Sequence, residues 1–418
     1  MAQRPQFLSS DPAGVPARRA ALKLLDAVLR RGETLEQAAG AAMKGVANTA
    51  DRALARAIAG EVLRWMQDLD ELIDSATRKR LPDDAKPRVV LRMMLAQLLR
   101  LETPPHAVIA TCLPLLDGGP RRLAHGVFST LSKRKAALPE VPTLPDAVHM
   151  RWGEMAGEVA PGLAVPPPLD LALRDMAATG EWVEKLGGVS LASGHVRLQR
   201  GTAVENLPGF EEGAWWVQDL AATLPARLLG HGAGGHVLDL CAAPGGKTLQ
   251  LAAAGWKVTA VDISDKRLDR LRENLARTGI AAEVVVADAL EWEPEEQFDA
   301  VLLDAPCTAT GTCRRHPDVL HRIGAAQIAQ MAPLQAKLLE RAQGWLKPGG
   351  RLVYATCSLE REEGEDIAAS ATLTPEPVGS EELPAGLQPS ANGWIRTHPG
   401  MLAEHGGLDG FFIARWHK

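Results

Sequence analysis

Apolar positions in the first third of the chain repeat at helical spacing. Leu22, Leu25, Val28 and Leu29 form a stripe with the i, i+3, i+6, i+7 spacing that is typical of an amphipathic helix. The same periodicity predicts further helices at Asp51–Ile73, with Asp51 as the N-cap, at Val89–Leu101, which is apolar nearly all round, and from Leu123 to Lys135. These patterns predict an all-helical domain over residues 1–140.

The pattern changes after Ala136, where prolines become dense and end in Pro166-Pro167-Pro168. This composition is typical of a linker or crossing segment. A short mixed region follows, with predicted strands at Leu169–Leu173 and His195–Gln199 and a helix near Gly180–Lys185. We therefore treat residues 141–210 as a linker followed by a small subdomain.

From residue 236 onward, short apolar runs alternate with helical stretches. The runs are strand-length and are bounded by turn residues, and the helix predicted between two of them covers Lys266–Arg277. Such alternation predicts an α/β, Rossmann-like fold over residues 211–418, with a parallel sheet covered on both faces. The predicted strands are Val237–Leu240, Val258–Val261, Ala282–Val286, Ala300–Leu303, Arg351–Ala355 and a final Gly410–Trp416.

Composition narrows the class of protein. A chain of 418 residues predicts two or three domains. It has no apolar run long enough for a membrane span and no export signal in Met1–Pro16, so we expect no membrane partner and a cytoplasmic location. Five cysteines, with no C-x-x-C and no zinc spacing, argue against a disulfide framework and a structural metal.

Charge is unevenly distributed along the chain. Residues 1–135 hold 22 Lys+Arg against 14 Asp+Glu, whereas the remainder is acidic. A basic module on an acidic body suggests that the module meets a polyanion, although solvated helix faces would explain the charge about as well.

A glycine turn follows the first strand of the α/β region. Its sequence is Cys241-Ala242-Ala243-Pro244-Gly245-Gly246-Lys247, and glycines there let backbone N–H groups approach a ligand at the carboxyl end of a strand. A P-loop is excluded, because it needs glycine at the position held by Cys241. A purely structural turn remains the alternative.

Acidic residues end the next three strands, at Asp262, Asp288 and Asp304. An acid about 20 residues beyond the turn can accept hydrogen bonds from ribose hydroxyls, and one on the next strand can meet an adenine edge. Each acid could equally be a helix cap. Together they indicate a nucleoside cofactor, and S-adenosylmethionine fits better than NAD because the turn is not G-x-G-x-x-G.

Two cysteines follow predicted strands, Cys307 shortly after Asp304 and Cys357 after the next strand. Carbon 5 of cytosine is a poor nucleophile. Addition of a thiolate to carbon 6 converts the ring into an enamine, and carbon 5 of that enamine can attack a methyl group. The addition needs ring N3 to be protonated or hydrogen-bonded, which a carboxyl group such as Asp304 can provide. Lys247 can favour the thiolate. The residues by themselves leave open which thiol is the nucleophile.

The loop after Cys307 holds Arg314-Arg315-His316, and its two arginines suit phosphate contacts unless they belong to a solvated loop. Cys241, Cys313 and His316 have no evident role.

These motifs resemble the RNA cytosine-5 methyltransferases. The resemblance rests on Leu238–Thr248, on Asp304–Asp318 and on Tyr354–Ser358, with Asp409–Phe412 in support. The helical N-terminus is similar to the domain shared with the antitermination factor NusB, at Asp51-Arg52, Leu63–Trp65 and Gly126–Phe128. The combination resembles the RsmB (Sun/Fmu) type, which methylates 16S ribosomal RNA.

The resemblance implies S-adenosylmethionine contacts at the turn and at the three acids. It implies that Cys357 is the nucleophile, that Cys307 releases the product and that residues 141–210 hold a small RNA-facing subdomain, a region that matches relatives only loosely. We expect a monomer that acts on ribosomal RNA, with steep salt dependence because aromatic residues are few. The same chemistry on tRNA, or a non-catalytic RNA-binding module, are the alternatives.

Overall fold

The computed structural model describes residues 12–201 and 203–418. They divide into two compact units: residues up to His149 together with His316–Arg322, and Met150–Arg315 together with Ile323–Lys418. Most of the stretch Met1–Pro16, in which the sequence shows no export signal, lies outside the described residues. Among the described residues, no helix combines the length and apolarity that a membrane crossing needs.

The helices in chain order are α1 (Val15–Arg31), α2 (Leu35–Ala42), α3 (Thr49–Arg64), α4 (Met66–Ser75), α5 (Lys86–Leu99), α6 (Pro105–Cys112), α7 (Gly118–Lys133), α8 (Asp146–Trp152), α9 (Met155–Val159), α10 (Thr179–Leu186), α11 (Leu220–Arg227), α12 (Gly246–Ala253), α13 (Asp265–Thr278), α14 (Val319–Arg322), α15 (Ala325–Gly344) and α16 (Glu365–Ala368). The strands are β1 (Leu169–Leu173), β2 (His195–Leu198), β3 (Trp215–Val217), β4 (His236–Leu240), β5 (Lys257–Asp262), β6 (Glu283–Val286), β7 (Phe298–Asp304), β8 (Leu346–Thr356), β9 (Thr374–Pro375), β10 (Ile395–Thr397) and β11 (Phe411–His417).

The first unit is helical, as its periodicity predicted. The stripe on α1 is buried at Leu25 and Val28, and α5 is buried nearly all round. The single helix predicted for Asp51–Ile73 is wrong, because the chain leaves helical geometry at Trp65 and forms α3 and α4 instead. After the break, α4 buries Leu69 and Ile73 completely.

The start of α3 also differs from the prediction. Its N-cap is Asn48, whose Oδ1 accepts a hydrogen bond from the Ala50 N–H at 2.8 Å, and Asp51 lies inside the first turn. Asn is as good a cap as Asp, so local sequence could not choose between them.

A short piece of the α/β sequence belongs to the helical unit. In α14, His321 Nε2 donates to the Leu63 carbonyl at 2.6 Å, and burial lowers the pKa of this imidazole. The loop that begins at Cys307 therefore continues directly into a segment of the helical unit.

The proline-dense stretch contains α8 and α9, which the proline count did not reveal. The mixed region beyond it forms a small antiparallel sheet of order β2-β1-β3. Its third strand, β3, lies beyond residue 210, where the sequence suggested that this region ends. Asp170 in its centre accepts two bonds of 2.7 Å from Arg197 and one of 3.0 Å from the Leu220 N–H.

The larger sheet has the order β10-β11-β8-β7-β4-β5-β6, with β9 paired to β11. Strands β4 to β8 run parallel to one another, and β11 runs antiparallel to β8. Apolar clusters cover both faces, with Val237 and Ala300 in one and Leu238 and Val301 in the other. The predicted Rossmann-like sheet is confirmed, while β9 and β10 were too short to be predicted from pattern.

Candidate active site

The two cysteine segments meet at the carboxyl edge of the large sheet. Strands β7 and β8 are parallel neighbours with Asp304 opposite Ala355, so Cys307 and Cys357 both emerge just past that paired position. Their sulfur atoms lie 3.5 Å apart, and each side chain is partly buried. The structure thus brings together the two thiols that the sequence placed after separate strands.

Backbone hydrogen bonds hold these loops together. The Gly311 N–H donates to the Cys357 carbonyl at 2.9 Å, and the Gly410 N–H donates to the Gly311 carbonyl at 2.8 Å. A Cβ at Gly311 would lie 2.0 Å from the Gly410 oxygen, so only glycine allows the approach. This contact explains why glycines occur in the loop after Cys307 and in the Asp409–Phe412 segment.

The environment keeps the Cys307 thiol protonated. Its hydrogen bond with Cys357, its burial and the nearby charges of Cys357 and Glu363 all raise the pKa of Cys307 well above the ordinary value. A thiolate is the reactive form of cysteine, so the structure holds Cys307 in its unreactive form.

Lys247 and Asp304 form an ion pair next to the thiols. The Lys247 Nζ lies 2.7 Å from Asp304 Oδ2, and Asp304 Oδ1 has no partner among the described residues. Burial would lower the pKa of Lys247, but Asp304, with a smaller contribution from Cys357, raises it, so the ammonium form persists. Lys247 also lies 5.2 Å from the centre of the Phe411 ring.

The turn between β4 and α12 has a conformation that few side chains tolerate. Cys241 has φ of 61° and Gly245 has φ of 104°. A Cβ on Gly245 would come within 2.4 Å of Leu271, so glycine is needed for both conformation and space. Burial, followed by the charges of Asp304 and Asp262, raises the pKa of Cys241, which makes it an unreactive thiol.

Asp262 and Asp288 lie at the ends of neighbouring strands, as expected. Asp262 accepts hydrogen bonds from the N–H groups of Ala243 and Ser264 at 3.1 and 2.9 Å, so it braces the glycine turn. Asp288 Oδ1 accepts from the Leu290 N–H at 2.9 Å. Both acids therefore have a local structural role, and each retains acceptor capacity.

Arg314 and Arg315 both pair with the buried acids Asp219 and Asp409. Arg314 is fully buried, and its guanidinium bonds Asp219, Asp409 and the Gly406 carbonyl. Arg315 bonds the same two acids at 2.6 and 2.9 Å. The structure gives these arginines an internal pairing role, and their contact with RNA stays a prediction.

Sequence reasoning missed the acids around these groups. Asp219 and Asp409 come from distant segments, and Asp239 on β4 is fully buried with its Oδ1 unpaired. Asp239 and Asp409 lie within the motifs Leu238–Thr248 and Asp409–Phe412 but had no predicted role, and no local signal marked Asp219. Within the described residues no cluster of His, Cys, Asp or Glu is arranged to hold a metal ion.

Comparisons with known proteins cover both units. A family model described as 16S rRNA methyltransferase RsmB/F matches residues 226–417, and the NusB family model matches residues 15–117. The Ribosomal RNA small subunit methyltransferase B of Klebsiella pneumoniae subsp. pneumoniae is 35% identical, covering 96% of this chain and 98% of that protein. The protein of the same name from Xanthomonas campestris pv. campestris is 34% identical, covering 96% and 97%.

Solved structures show the same fold. The crystal structure of PH0851 aligns with a TM-score of 0.71 at 23% identity, covering 98% of this chain and 99% of that chain. A methyltransferase homologue from Pyrococcus horikoshii aligns with a TM-score of 0.54 at 29% identity, covering 65% of this chain and 93% of that chain.

Proposed function

The chain belongs to the RsmB/F family of 16S ribosomal RNA methyltransferases and carries a NusB-family domain, and from this premise we propose that it methylates carbon 5 of a cytosine in 16S ribosomal RNA. The proposed methyl donor is S-adenosylmethionine, and the proposed route passes through a covalent bond between Cys357 and carbon 6. The observation that carries the proposal is the thiol pair at 3.5 Å next to the Lys247–Asp304 ion pair.

The residues at the sheet edge fit this cofactor. Because Gly245 has no side chain, the backbone of the turn after β4 is open to a ligand. Asp262, Asp288 and Asp304 follow at the ends of the next strands. Residues Cys241–Lys247 with these acids would hold the cofactor, as in other Rossmann-like sites. When bound, S-adenosylmethionine supplies an electrophilic methyl group.

Cys357 is the proposed nucleophile. Its neighbour Cys307 is held as a thiol, and interaction with Asp304 and Cys357 keeps Lys247 a cation beside the pair. The thiolate adds to carbon 6 of the cytosine, which places electron density on carbon 5.

Asp304 is the proposed contact for ring N3. Its Oδ2 is bonded to Lys247, while Oδ1 is available for the base. During the addition N3 takes up a proton from solvent, which balances the negative charge that the thiolate brings to the ring, and a carboxylate at this position then accepts a hydrogen bond from the N3 N–H. One carboxylate thus connects Lys247, the cation beside the thiols, to the ring that the Cys357 sulfur attacks.

Release reverses the addition. A base takes the proton from carbon 5, the electron pair restores the double bond between carbons 5 and 6, and the bond from carbon 6 to Cys357 breaks. The Cys307 S–H lies 3.5 Å from the departing sulfur and can stabilise its negative charge by a hydrogen bond. This geometry supports the release role.

The helical unit offers a surface for the RNA backbone. Lys44, Arg52 and Arg56 line a hollow of about 430 Å³ between α2 and α3, and no acidic residue lines it. All three side chains are exposed. Cations without acidic neighbours are suited to phosphate contacts, so we propose that this hollow helps to hold the RNA.

A trapping experiment tests the chemistry. Wild type, Cys357→Ala and Cys307→Ala are incubated with 16S ribosomal RNA and S-adenosylmethionine, and denaturing gels are searched for a protein–RNA adduct. We expect the adduct to accumulate in Cys307→Ala and to be absent in Cys357→Ala. The reverse result would exchange the two roles.

A second arm tests the substrate. The same proteins are incubated with tRNA in place of ribosomal RNA, with methyl transfer as the readout. Transfer to tRNA but not to 16S ribosomal RNA would contradict the proposed substrate.

A further inference from the structure

One buried carboxylate connects both cysteine loops. Glu363 is fully buried six residues after Cys357, in a short 3-10 turn over Arg361–Glu363. Its Oε1 accepts from the Thr308 N–H at 2.9 Å, and its Oε2 accepts from the Thr308 and Ser358 hydroxyls at 2.5 Å each. Thr308 directly follows Cys307, and Ser358 directly follows Cys357.

Helix α15 adds a second connection to the same group. Gln335 Nε2 donates to Glu363 Oε1 at 3.1 Å and to the Pro306 carbonyl at 2.8 Å. The residues on both sides of Cys307 are therefore held, directly or through Gln335, by one carboxylate. The backbone of Glu363 is fixed as well, because the Tyr354 hydroxyl on β8 donates to its carbonyl at 2.7 Å.

The four donors suit a carboxylate. Two N–H groups donate to Oε1 and two hydroxyls donate to Oε2, and a carboxylate accepts from all four. An amide NH₂ group in place of Oε2 would have to donate to both hydroxyls, at the longer distance of an N–H···O bond and without the negative charge that shortens the present bonds. A buried donor that loses its acceptor is costly, so the two loops would move apart to find other partners.

We propose that Glu363 is the positioning residue of the thiol pair, because its carboxylate joins the residue after Cys307 to the residue after Cys357 and so sets the distance between the two sulfurs. It does not touch the reacting atoms. Its catalytic consequences rest on the proposed function, since release by Cys307 needs the sulfurs at contact distance. Its effect on the spacing of the thiols does not depend on that function.

Phenylarsine oxide tests the spacing directly. This trivalent arsenical condenses with two neighbouring thiols, forming two As–S bonds and releasing one water, so tight capture needs both sulfurs in contact. Binding would be followed by mass spectrometry of the intact enzyme. We expect one equivalent to bind wild type, and none to bind tightly to Cys307→Ala or Cys357→Ala.

Glu363→Gln is compared with Glu362→Gln, the same change at the exposed neighbouring residue. We expect Glu363→Gln to weaken capture at least tenfold and Glu362→Gln to leave it unchanged. Capture as tight in Glu363→Gln as in wild type would overturn the proposal, and so would capture that persists in Cys307→Ala.

Two milder variants keep the test decisive if Glu363→Gln folds poorly. Thr308→Val and Ser358→Ala each remove one arm of the connection, so each should weaken capture partly. If both variants bind the arsenical like wild type, Glu363 does not set the spacing.

Kinetics give a second readout. We expect kcat of Glu363→Gln to fall about 100-fold, because a small misplacement of reacting groups costs that much, while KM for S-adenosylmethionine stays unchanged. A merely structural defect would instead lower the amount of active enzyme. It would not change the fraction of covalent protein–RNA adduct that goes on to release product. If the arsenical results hold but no variant forms an RNA adduct, the proposed function fails and the positioning role stands.

Discussion

Two groups of basic residues differ sharply in burial and in their partners, although the sequence around each is equally typical of a protein surface. Arg314 and Arg315 lie between Asp219 and Asp409, and Arg314 has no exposed surface. Lys44, Arg52 and Arg56 are exposed around a hollow without acids. The comparison teaches that burial and acidic partners, rather than residue type, decide whether an arginine supports the fold or is available to a polyanion.

The largest expected effect comes from Arg314→Met. It leaves Asp219 and Asp409 buried with one cation fewer, and breaking a buried pair costs about 3–5 kcal/mol of unfolding free energy. The measurement is urea unfolding followed by circular dichroism. Arg56→Met serves as the control and should change the free energy by about 0.5 kcal/mol or less. Equal effects of the two variants would contradict the comparison.

Among the described residues, the buried acid Asp239 lacks the arginine partners that Asp219 and Asp409 have. Asp239 accepts a hydrogen bond from the Thr248 hydroxyl at 2.6 Å, its Oδ1 is unpaired, and burial raises its pKa to about 7. The folded protein therefore binds a proton that the unfolded chain releases near pH 4, so unfolding free energy should fall as pH rises from about 4 to about 7.

Asp239→Asn removes this titration. The difference in unfolding free energy between the variant and wild type should change by on the order of 2–4 kcal/mol across that window and stay constant above it. Urea unfolding at several pH values measures it, with Glu295→Gln, an exposed acid, as the control. A constant difference from pH 4 to 8 would show that Asp239 is ionised throughout.

The smallest effect concerns the exposed cations. Replacing Lys44, Arg52 and Arg56 together by Gln should leave stability unchanged and should lower the slope of log Kd against log salt by about two to three, because each phosphate contact contributes about one. The measurement is ribosomal RNA binding at several salt concentrations.

The control replaces Lys266, Arg270 and Arg272 together by Gln. These cations lie on α13, where Arg272 already pairs with acids of the same helix. The salt slope of this control should match wild type. An equal loss of slope in both variants would mean that net charge, and not the hollow, governs binding.

Much of the fold could be predicted because its signals are local. The apolar stripe of α1, the strand runs of β4, β5 and β7 and the turn at Gly245 each depend on a few neighbouring residues. The break at Trp65 and the short strands β9 and β10 could not be predicted, because packing between distant segments decides them. The same holds for Arg314, whose partners lie 95 positions away on both sides.

The sequence alone was enough to identify the family and the succession of helices and strands along the α/β region, because motif spacing and hydrophobic period can be recognised without knowledge of contacts. It also predicted which residues would carry the chemistry. Only the tertiary structure decided that the two thiols meet at 3.5 Å, that Lys247 pairs with Asp304 and that Glu363 connects the two loops. Glu363 stands in a run of acids from Glu360 to Asp366 in which nothing local distinguishes it. Burial among four donors does, and burial is a property of the folded chain.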